Sequence, residues 1–273
     1  MYEILEKQKL SETVKMMKIK APLVARKAKA GQFIILRIDE SGERIPLTIA
    51  DYDRDKGTIT VIFMEVGKTT KQLGTLNVGD KLLNFAGPLG QPSEIENYGT
   101  VVCIGGGVGI APLYPIVREL KKAGNYVISI LGARNVKLLM LEKEIEEFSD
   151  EIHICTDDGS KGQKGFVSEV LQGLIDEGRK IGMVMAIGPV IMMKVVANVT
   201  RPYKIKTLVS LNPIMVDGTG MCGGCRVSVG NETKFACVDG PEFDGHLVDF
   251  DNLMLRNRRF VYQEDEACKC AGV

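Results

Sequence analysis

Short runs of alternating or continuous apolar residues dominate the first third of the chain. GQFIILRI, GTITVIFME and GDKLLNFAGPLG are examples, and Gly, Asp and Asn separate them. About six such runs with little helical periodicity predict strands, and strands alone in this number are typical of a small antiparallel barrel. We therefore expect residues 1–97 to form one β-barrel domain that ends in the loop GPLGQP.

From about Tyr98 to Leu211, buried-strand runs alternate with helical periodicity. TVVCIG reads as a strand, and IAPLYPIVRELKKAG has the spacing of a helix that stops at Gly124. YVISILGA, LLMLEKEIEEF and EIHICTDDG continue as strand, helix and strand, and the alternation goes on to KTLVSLN. This pattern predicts a parallel sheet covered by helices on both faces, over residues 98–211.

From Asn212 the chain becomes rich in Gly, Cys and Asp. Such a stretch has too few apolar residues to build much core alone, and it is typical of a segment that a metal centre holds together. We expect residues 212–273 to form a small cluster-binding segment and a tail.

Composition narrows the functional classes. Lys plus Arg equals Asp plus Glu at 35 each, which gives no electrostatic reason to expect a nucleic acid or an anionic membrane as partner. The apolar run Ile181–Met193 is too short to span a bilayer, and the first twenty residues do not resemble a signal peptide. We expect a cytoplasmic protein that binds neither membrane nor nucleic acid.

The cysteine spacing is the most specific chemical signal. Asp217, Cys222, Cys225 and Cys237 follow the pattern D-x4-C-x2-C-x11-C, in which Asp stands where plant-type [2Fe–2S] sites have a first Cys. Glycines around the C-x2-C pair would let the backbone turn its N–H groups toward the sulfurs. These four residues are the predicted ligands of a [2Fe–2S] cluster. The alternatives are a zinc site with three cysteines and one other ligand, although structural zinc usually requires two pairs of ligands, and plain reduced thiols.

Glycine-rich turns follow three of the predicted strands in the second stretch. GGGVGIAP joins a strand to a helix, so its backbone could approach a pyrophosphate at the helix amino terminus. Two later strands end in Asp157-Asp158-Gly159 and in Gly188-Pro189, at the sheet edge where parallel sheets bind ligands. The residues predicted around a nicotinamide nucleotide are Gly105, Gly107, Val108, Gly109, Pro112, Asp157, Asp158, Gly188 and Pro189.

Two segments of the barrel have the chemistry to bind a flavin. Arg44 can hold a diphosphate, and Thr48 of the same RIPLT segment offers a hydroxyl and a backbone N–H to a ring. GKTT offers hydroxyls and N–H groups at a predicted helix start. The residues predicted around FAD are Arg44, Pro46, Leu47, Thr48, Gly67, Thr69 and Thr70.

These motifs, in this order, resemble the ferredoxin–NADP reductase superfamily, in its branch of dihydroorotate dehydrogenase electron-transfer subunits. RIPLT resembles the flavin-binding strand, GGGVGIAPLYPI the nicotinamide-site turn, and IGPVIMM the final nucleotide motif. NPIMVDGTGMCGGCRV and KFACVDGPEFDGH resemble the small subunits of NADH-dependent reduced ferredoxin:NADP oxidoreductases. That group includes proteins described as sulfide dehydrogenase beta subunits. The orotate-linked subunits have Cys where Asp217 stands.

The resemblance implies a flavin- and iron–sulfur-dependent oxidoreductase subunit. The cluster would relay electrons to FAD, and FAD would reduce NAD⁺. The implied partner is a large subunit with a second flavin and [4Fe–4S] clusters, through which the complex reaches ferredoxin in an electron-bifurcating reaction. Alternatives are an electron-transfer subunit for dihydroorotate, sulfide or hydrogen oxidation, and a zinc-stabilised module without redox activity. No side chain is predicted as a general acid or base, and NAD is preferred to NADP on the resemblance alone.

Overall fold

The computed structural model describes residues 1–271 and has the three successive parts that the sequence pattern predicts. The strands are β1 Tyr2–Lys9, β2 Val14–Lys20, β3 Phe33–Arg37, β4 Ile45–Asp53, β5 Thr58–Met64, β6 Lys81–Leu82, β7 Asn84–Leu89, β8 Thr100–Gly106, β9 Tyr126–Ala133, β10 Glu151–Thr156, β11 Gln163–Lys164, β12 Met183–Ile187, β13 Lys206–Ser210, β14 Arg226–Val229, β15 Glu232–Phe235 and β16 Glu242–Asp244. The helices are α1 Pro22–Lys27, α2 Lys68–Thr75, α3 Ile110–Lys122, α4 Glu142–Glu146, α5 Val167–Asp176, α6 Val190–Thr200, α7 Phe250–Asn257 and α8 Val261–Ala271.

The first part is an antiparallel barrel, as predicted. Its seven strands follow the order β6-β1-β2-β5-β4-β3-β7, and every pairing between neighbours is antiparallel. Side chains such as Ile4, Ile34 and Phe63 point inward and are almost fully buried. The short helix α2 connects β5 to β6, so its amino terminus lies at one end of the barrel.

The second part is a sheet with helices on both faces. Its strand order is β11-β10-β9-β8-β12-β13-β16, and all pairs are parallel except the last. Helices α5 and α6 pack on one face. Helix α3 packs on the other face, where barrel residues such as Val14 and Ile62 join the same apolar cluster.

The helix predicted over LLMLEKEIEEF is much shorter than expected. Only Glu142–Glu146 is α-helical, because the buried Leu139 is extended and the buried Met140 also lies outside the helix. Leu141 then takes a left-handed conformation with φ of 55°, which starts α4 in a new direction.

The cysteine-rich segment shares its core with the nucleotide domain. Its strand β16 pairs antiparallel with β13 and so forms the last strand of the parallel sheet. Val227, Ala236 and Phe243 are buried in the same apolar cluster as helices α5 and α6. Packing against the neighbouring domain therefore supplies the apolar burial that this segment lacks alone. No helix within residues 1–271 is long and apolar enough to cross a membrane.

Candidate functional site

The predicted flavin strand is the first half of β4. Pro46, Leu47 and Thr48 are half-buried, and they pair with Ile35, Ile34 and Phe33 of β3. Arg44 immediately precedes the strand, is exposed, and forms no ion pair within residues 1–271. A half-buried strand beside an unpaired guanidinium suits a flat ring that continues into a diphosphate.

The amino terminus of α2 lies beside this strand. The Thr70 hydroxyl oxygen accepts hydrogen bonds from the backbone N–H of Gly67 at 3.1 Å and of Val66 at 3.0 Å. The buried Thr69 hydroxyl donates to the carboxylate of Glu43 at 2.8 Å, and Glu43 is the chain neighbour of Arg44. The Glu43 carboxylate thus lies at this helix start, where the helix amino terminus favours an anionic group.

The predicted nicotinamide turn joins β8 to α3 and is packed backbone against backbone. A Cβ on Gly109 would lie 2.4 Å from the Ile187 carbonyl oxygen, and one on Gly188 would lie 3.1 Å from the Gly106 Cα. Gly107 has φ of 56° and open space at its Cβ position. The carboxyl ends of β8 and β12 therefore lie side by side. The open space at Gly107 leaves room for a ligand to approach the protein backbone there.

The remaining predicted nucleotide residues lie along the same edge of the sheet. Val108 and Pro112 are half-buried at the start of α3, and Pro189 directly precedes α6. Asp157 and Asp158 follow β10, which is separated from β8 by β9 and so lies about 10 Å away. Hydrogen bonds from Ser160, the side chain first, lower the pKa of Asp158, which therefore remains an anion at neutral pH.

A separate cleft lies behind this edge, between the barrel and the carboxy-terminal half of α3. Its volume is about 900 Å³, and its walls include Tyr52, Arg54 and Arg118. None of the residues predicted to bind a cofactor lines it.

The cysteine segment brings two of the three cysteines together. Cys225 and Cys237 are buried at the open end of the β14–β15 hairpin, and the Cys237 N–H points at the Cys225 sulfur at 3.5 Å. The Gly224 N–H points at the sulfur of the exposed Cys222 at 3.4 Å, and the Gly220 N–H faces the Cys237 sulfur. Burial, and next the adjacent Cys225 thiol, raise the pKa of Cys237 to about 12.

Asp217 is held by the same loop. Its two carboxylate oxygens accept backbone N–H groups from Thr219 at 2.9 Å and Cys222 at 3.0 Å. The bond from Thr219 is the main reason that the pKa of Asp217 is lowered. In the described part of the chain, no three His, Cys, Asp or Glu side chains converge as ligands of one metal ion. The residues nevertheless fit an iron–sulfur cluster, because each of the three sulfurs faces a backbone N–H donor.

Family models match nearly the whole chain in the same order as the three parts of the fold. The oxidoreductase FAD-binding domain matches residues 1–93, and the oxidoreductase NAD-binding domain matches residues 103–198. The iron–sulfur cluster binding domain of dihydroorotate dehydrogenase B matches residues 212–249. The chain is also 50% identical over 262 residues to the "dihydroorotate dehydrogenase B (NAD(+)), electron transfer subunit homolog" of Thermotoga maritima, covering 96% of this chain and 92% of that protein.

The chain belongs to the family of dihydroorotate dehydrogenase B electron-transfer subunits.

Other relatives agree with this placement. The electron transfer subunit of Desulforamulus reducens is 35% identical over 240 residues, which cover 85% of this chain and 91% of that protein. A solved structure of the NADH-dependent reduced ferredoxin–NADP oxidoreductase superposes with a TM-score of 0.94 and 47% identity, over 98% of this chain and 97% of that chain. This electron-transfer subunit is therefore a flavin- and iron–sulfur-dependent oxidoreductase subunit with FAD-binding and NAD-binding domains. The match to an iron–sulfur domain argues against the zinc-stabilised module.

The sequence motifs missed two polar groups near the sites of this electron-transfer subunit. Arg256 of α7 donates from Nη2 to the Gly224 carbonyl oxygen at 3.2 Å, inside the cysteine loop. Burial first, and then the guanidinium groups of Arg259 and Arg226, lower the pKa of Arg256. Glu242 of β16 is buried against Ser93, between the three parts of the fold. Arg256 lies outside the quoted motifs, whereas Glu242 lies within KFACVDGPEFDGH but was given no role there.

Proposed function

We propose that this chain is the small subunit of an electron-bifurcating NADH-dependent reduced ferredoxin:NADP⁺ oxidoreductase of the cytoplasm. In this role it relays electrons between a [2Fe–2S] cluster, FAD and NAD(H). The observation that carries the proposal is the likeness, at 47% identity and over the full length of both chains, to the solved enzyme of that name. Asp217 at the first position of the cluster motif, in place of Cys, favours the same group.

The chain supplies three binding regions for this chemistry, which we assign to residues 1–97, 98–211 and 212–273. When bound, FAD exchanges one or two electrons, a [2Fe–2S] cluster exchanges one, and a nicotinamide exchanges two as hydride. Arg44 and the start of α2 hold the FAD diphosphate, while β4 supports the ring. The glycine turn after β8 and the Gly188–Pro189 turn receive the nicotinamide nucleotide, and Asp157 and Asp158 flank it.

The cluster is held by Cys222, Cys225, Cys237 and Asp217. Backbone N–H groups face the three sulfurs and would stabilise their negative charge. Bringing all four side chains onto the cluster requires Cys222 and Asp217 to turn inward from the loop positions described above. Both lie on a loop whose glycines at 218, 220 and 223 have positive φ, so a rearrangement there is sterically possible.

The partner in this proposal is a large subunit with its own flavin and [4Fe–4S] clusters. Ferredoxin would exchange electrons with that subunit and not with this chain. The names of the relatives support a multi-subunit complex, since they are described as electron transfer subunits.

A second candidate is the electron-transfer subunit of a dihydroorotate dehydrogenase. The family model over residues 212–249 and the names of the relatives favour it. Assays of the purified complex with dihydroorotate, and separately with NADPH and ferredoxin, distinguish the two. Orotate formation coupled to NADH formation would replace the bifurcation proposal.

The first test is anaerobic purification followed by flavin, iron and sulfide assays. We expect about one FAD, two irons and two sulfides per chain. We also expect NADH to bleach the flavin absorbance. A protein with flavin and no iron, or with four irons, would contradict the proposed relay.

Asp217 gives a sharper prediction about the ligand set. Asp217→Cys should retain the cluster but change its electron paramagnetic resonance spectrum, because thiolate is a softer donor than carboxylate. Asp239→Cys is a matched control in the same segment, where the carboxylate binds only the Phe235 N–H. An intact cluster with an unaltered spectrum in Asp217→Cys would remove Asp217 from the ligands.

A further inference from the structure

Helix α7 braces the cysteine loop at both of its ends. The Asn257 side-chain amide donates to the Asn212 carbonyl oxygen at 3.3 Å, where the loop begins. Arg256 donates to the Gly224 carbonyl oxygen at 3.2 Å, next to Cys225. Helix α7 is itself fixed by Phe250 and Leu253, which are buried in the core. It begins after residue 249, where the match to the iron–sulfur family model ends.

Three arginines lie beside the cysteine loop. Arg256 and Arg259 line the same small cavity as Gly224, and Arg226 Nη1 lies 3.4 Å from the position of a Cβ on Gly223. Burial first, and then the charges of Arg259 and Arg226, lower the pKa of Arg256. None of the three forms an ion pair with a carboxylate within residues 1–271, whereas the half-buried Arg118 pairs with Asp51 at 2.7 Å. The positive charges of these arginines repel one another, and the half-buried Arg256 guanidinium also loses hydration. An anion on the adjacent loop would offset both the repulsion and the loss of hydration.

The loop beside them is where the proposed cluster binds. The Arg256 guanidinium donates to the Gly224 carbonyl oxygen, and Cys225 is the next residue along the chain. Arg226 directly follows Cys225 and reaches back over Gly223. A cluster with anionic ligands becomes one charge more negative when it takes up one electron. Nearby cations therefore favour its reduced state.

We propose that Arg256 is a positioning residue for the cluster loop and that, with Arg226 and Arg259, it raises the reduction potential of the [2Fe–2S] cluster. This inference rests on the proposed function, because it requires that cluster. It assigns a role to α7, which neither the cysteine motif nor the matched family model includes.

The test is a redox titration of the holoprotein with dithionite, in which the cluster signal is followed by electron paramagnetic resonance. Arg256→Gln should shift the reduction equilibrium about tenfold against the reduced cluster, which is about 59 mV for one electron. Arg256→Lys keeps the charge and should restore most of the potential. Arg258→Gln removes an exposed guanidinium that directly follows α7 and is not among the cations that lower the pKa of Arg256, and it should leave the potential unchanged.

Each outcome separates this inference from the proposed function. A wild-type protein without a [2Fe–2S] signal would overturn the proposed function itself. An intact cluster with an unchanged potential in Arg256→Gln would overturn only the role of the arginines. If Arg256→Gln does not retain its cluster, the exposed Arg259→Gln provides the same titration without loss of the Gly224 contact. A potential equal to wild type in that variant would likewise overturn the inference.

Discussion

Glu242 is a carboxyl group buried where the three parts of the molecule meet. It lies on β16 and accepts the Ser93 hydroxyl at 2.5 Å from the segment that links barrel and nucleotide domain. The barrel residue Gly31 lies against the same carboxyl oxygen. The charge of Glu94 contributes to raising the pKa of Glu242, and burial and then Glu242 raise the pKa of Cys103 of β8. Burial is the main reason that the pKa of Glu242 is raised to about 7, and the Ser93 bond partly opposes this.

This raised pKa predicts a stability that declines as the pH rises. The contribution is complete below the unfolded value of 4.5, and it is lost as the pH rises through about 7. The total loss is roughly 3 kcal/mol, because one pKa unit corresponds to about 1.4 kcal/mol. In Glu242→Gln, an uncharged amide keeps an acceptor for Ser93, so the variant should exceed wild type in stability at pH 8 and not at pH 5. Urea unfolding of the holoprotein at both pH values measures this.

Glu96→Gln is the matched control for that prediction. Glu96 is an exposed carboxylate in the same linking segment, and it forms no ion pair within residues 1–271. Its replacement should leave the decline between pH 5 and pH 8 as in wild type. If Glu242→Gln declines as steeply as wild type, Glu242 is charged in the folded protein and the pKa argument fails.

Local motifs let the sequence propose site residues, whereas contacts between residues far apart in the chain could not be predicted. The cysteines and Arg44 stand at fixed spacings within a few residues of other motif members. Glu242 meets Ser93 across 149 positions and Arg256 meets Gly224 across 32, so only the folded topology brings either pair together. No spacing rule encodes such contacts.

The same distinction holds for whole elements. Periodicity predicted the barrel strands and helices α3, α5 and α6 because each buries one continuous face. It overestimated α4, because Leu139 and Met140 contribute to the apolar count while packing in the core outside the helix. It gave no sign that β16 joins the parallel sheet, since the three residues of that strand are too few to show alternation.

The first turn of helix α2 is held by a single hydroxyl group, that of Thr70. Thr70→Val removes the oxygen that accepts the Val66 and Gly67 N–H groups, and a lost cap of this kind costs about 1 kcal/mol. We expect the helix start to fray and the protein to be purified with less FAD. The ratio of flavin absorbance to protein absorbance measures the loss.

Thr75→Val is the control at the other end of the same helix. The Thr75 hydroxyl donates only to the Gln72 carbonyl oxygen and is exposed. That end is also held by Lys7, which donates to the carbonyl oxygens of Gly74 and Leu76. FAD content should stay at the wild-type level in Thr75→Val. An equal loss in both variants would mean that general helix stability, and not the amino terminus, governs flavin binding.

In the whole molecule, the three parts of the chain that contain the proposed binding regions contact one another. The cysteine segment packs on the nucleotide sheet through β16, and the backbone of Gly240 contacts the barrel exit loop through the Gln91 N–H at 2.7 Å. A Cβ on Gly218 would lie 2.7 Å from the Ile35 side chain, so the cysteine loop also touches the strand that pairs with the flavin strand. A single strand, β3, therefore separates the cysteine loop from β4. The opposite side of the cysteine loop faces outward.

An electron-transfer subunit must receive electrons from its partner, and the outward side of the cysteine loop is exposed to such a contact. Met221 precedes the exposed Cys222 and is itself 88% exposed, and Val216 and Leu255 are further exposed apolar side chains near the loop. If the large subunit covers this surface, Met221→Glu places a charge in a dry interface and should weaken association by at least tenfold. Val78→Glu, at a similarly exposed apolar position after α2, should not weaken association.

Titration of the holoprotein with the separately purified large subunit gives both dissociation constants, and the visible spectrum verifies that cluster and flavin are retained. Equal affinity of Met221→Glu and wild type would place the partner on another face of the molecule.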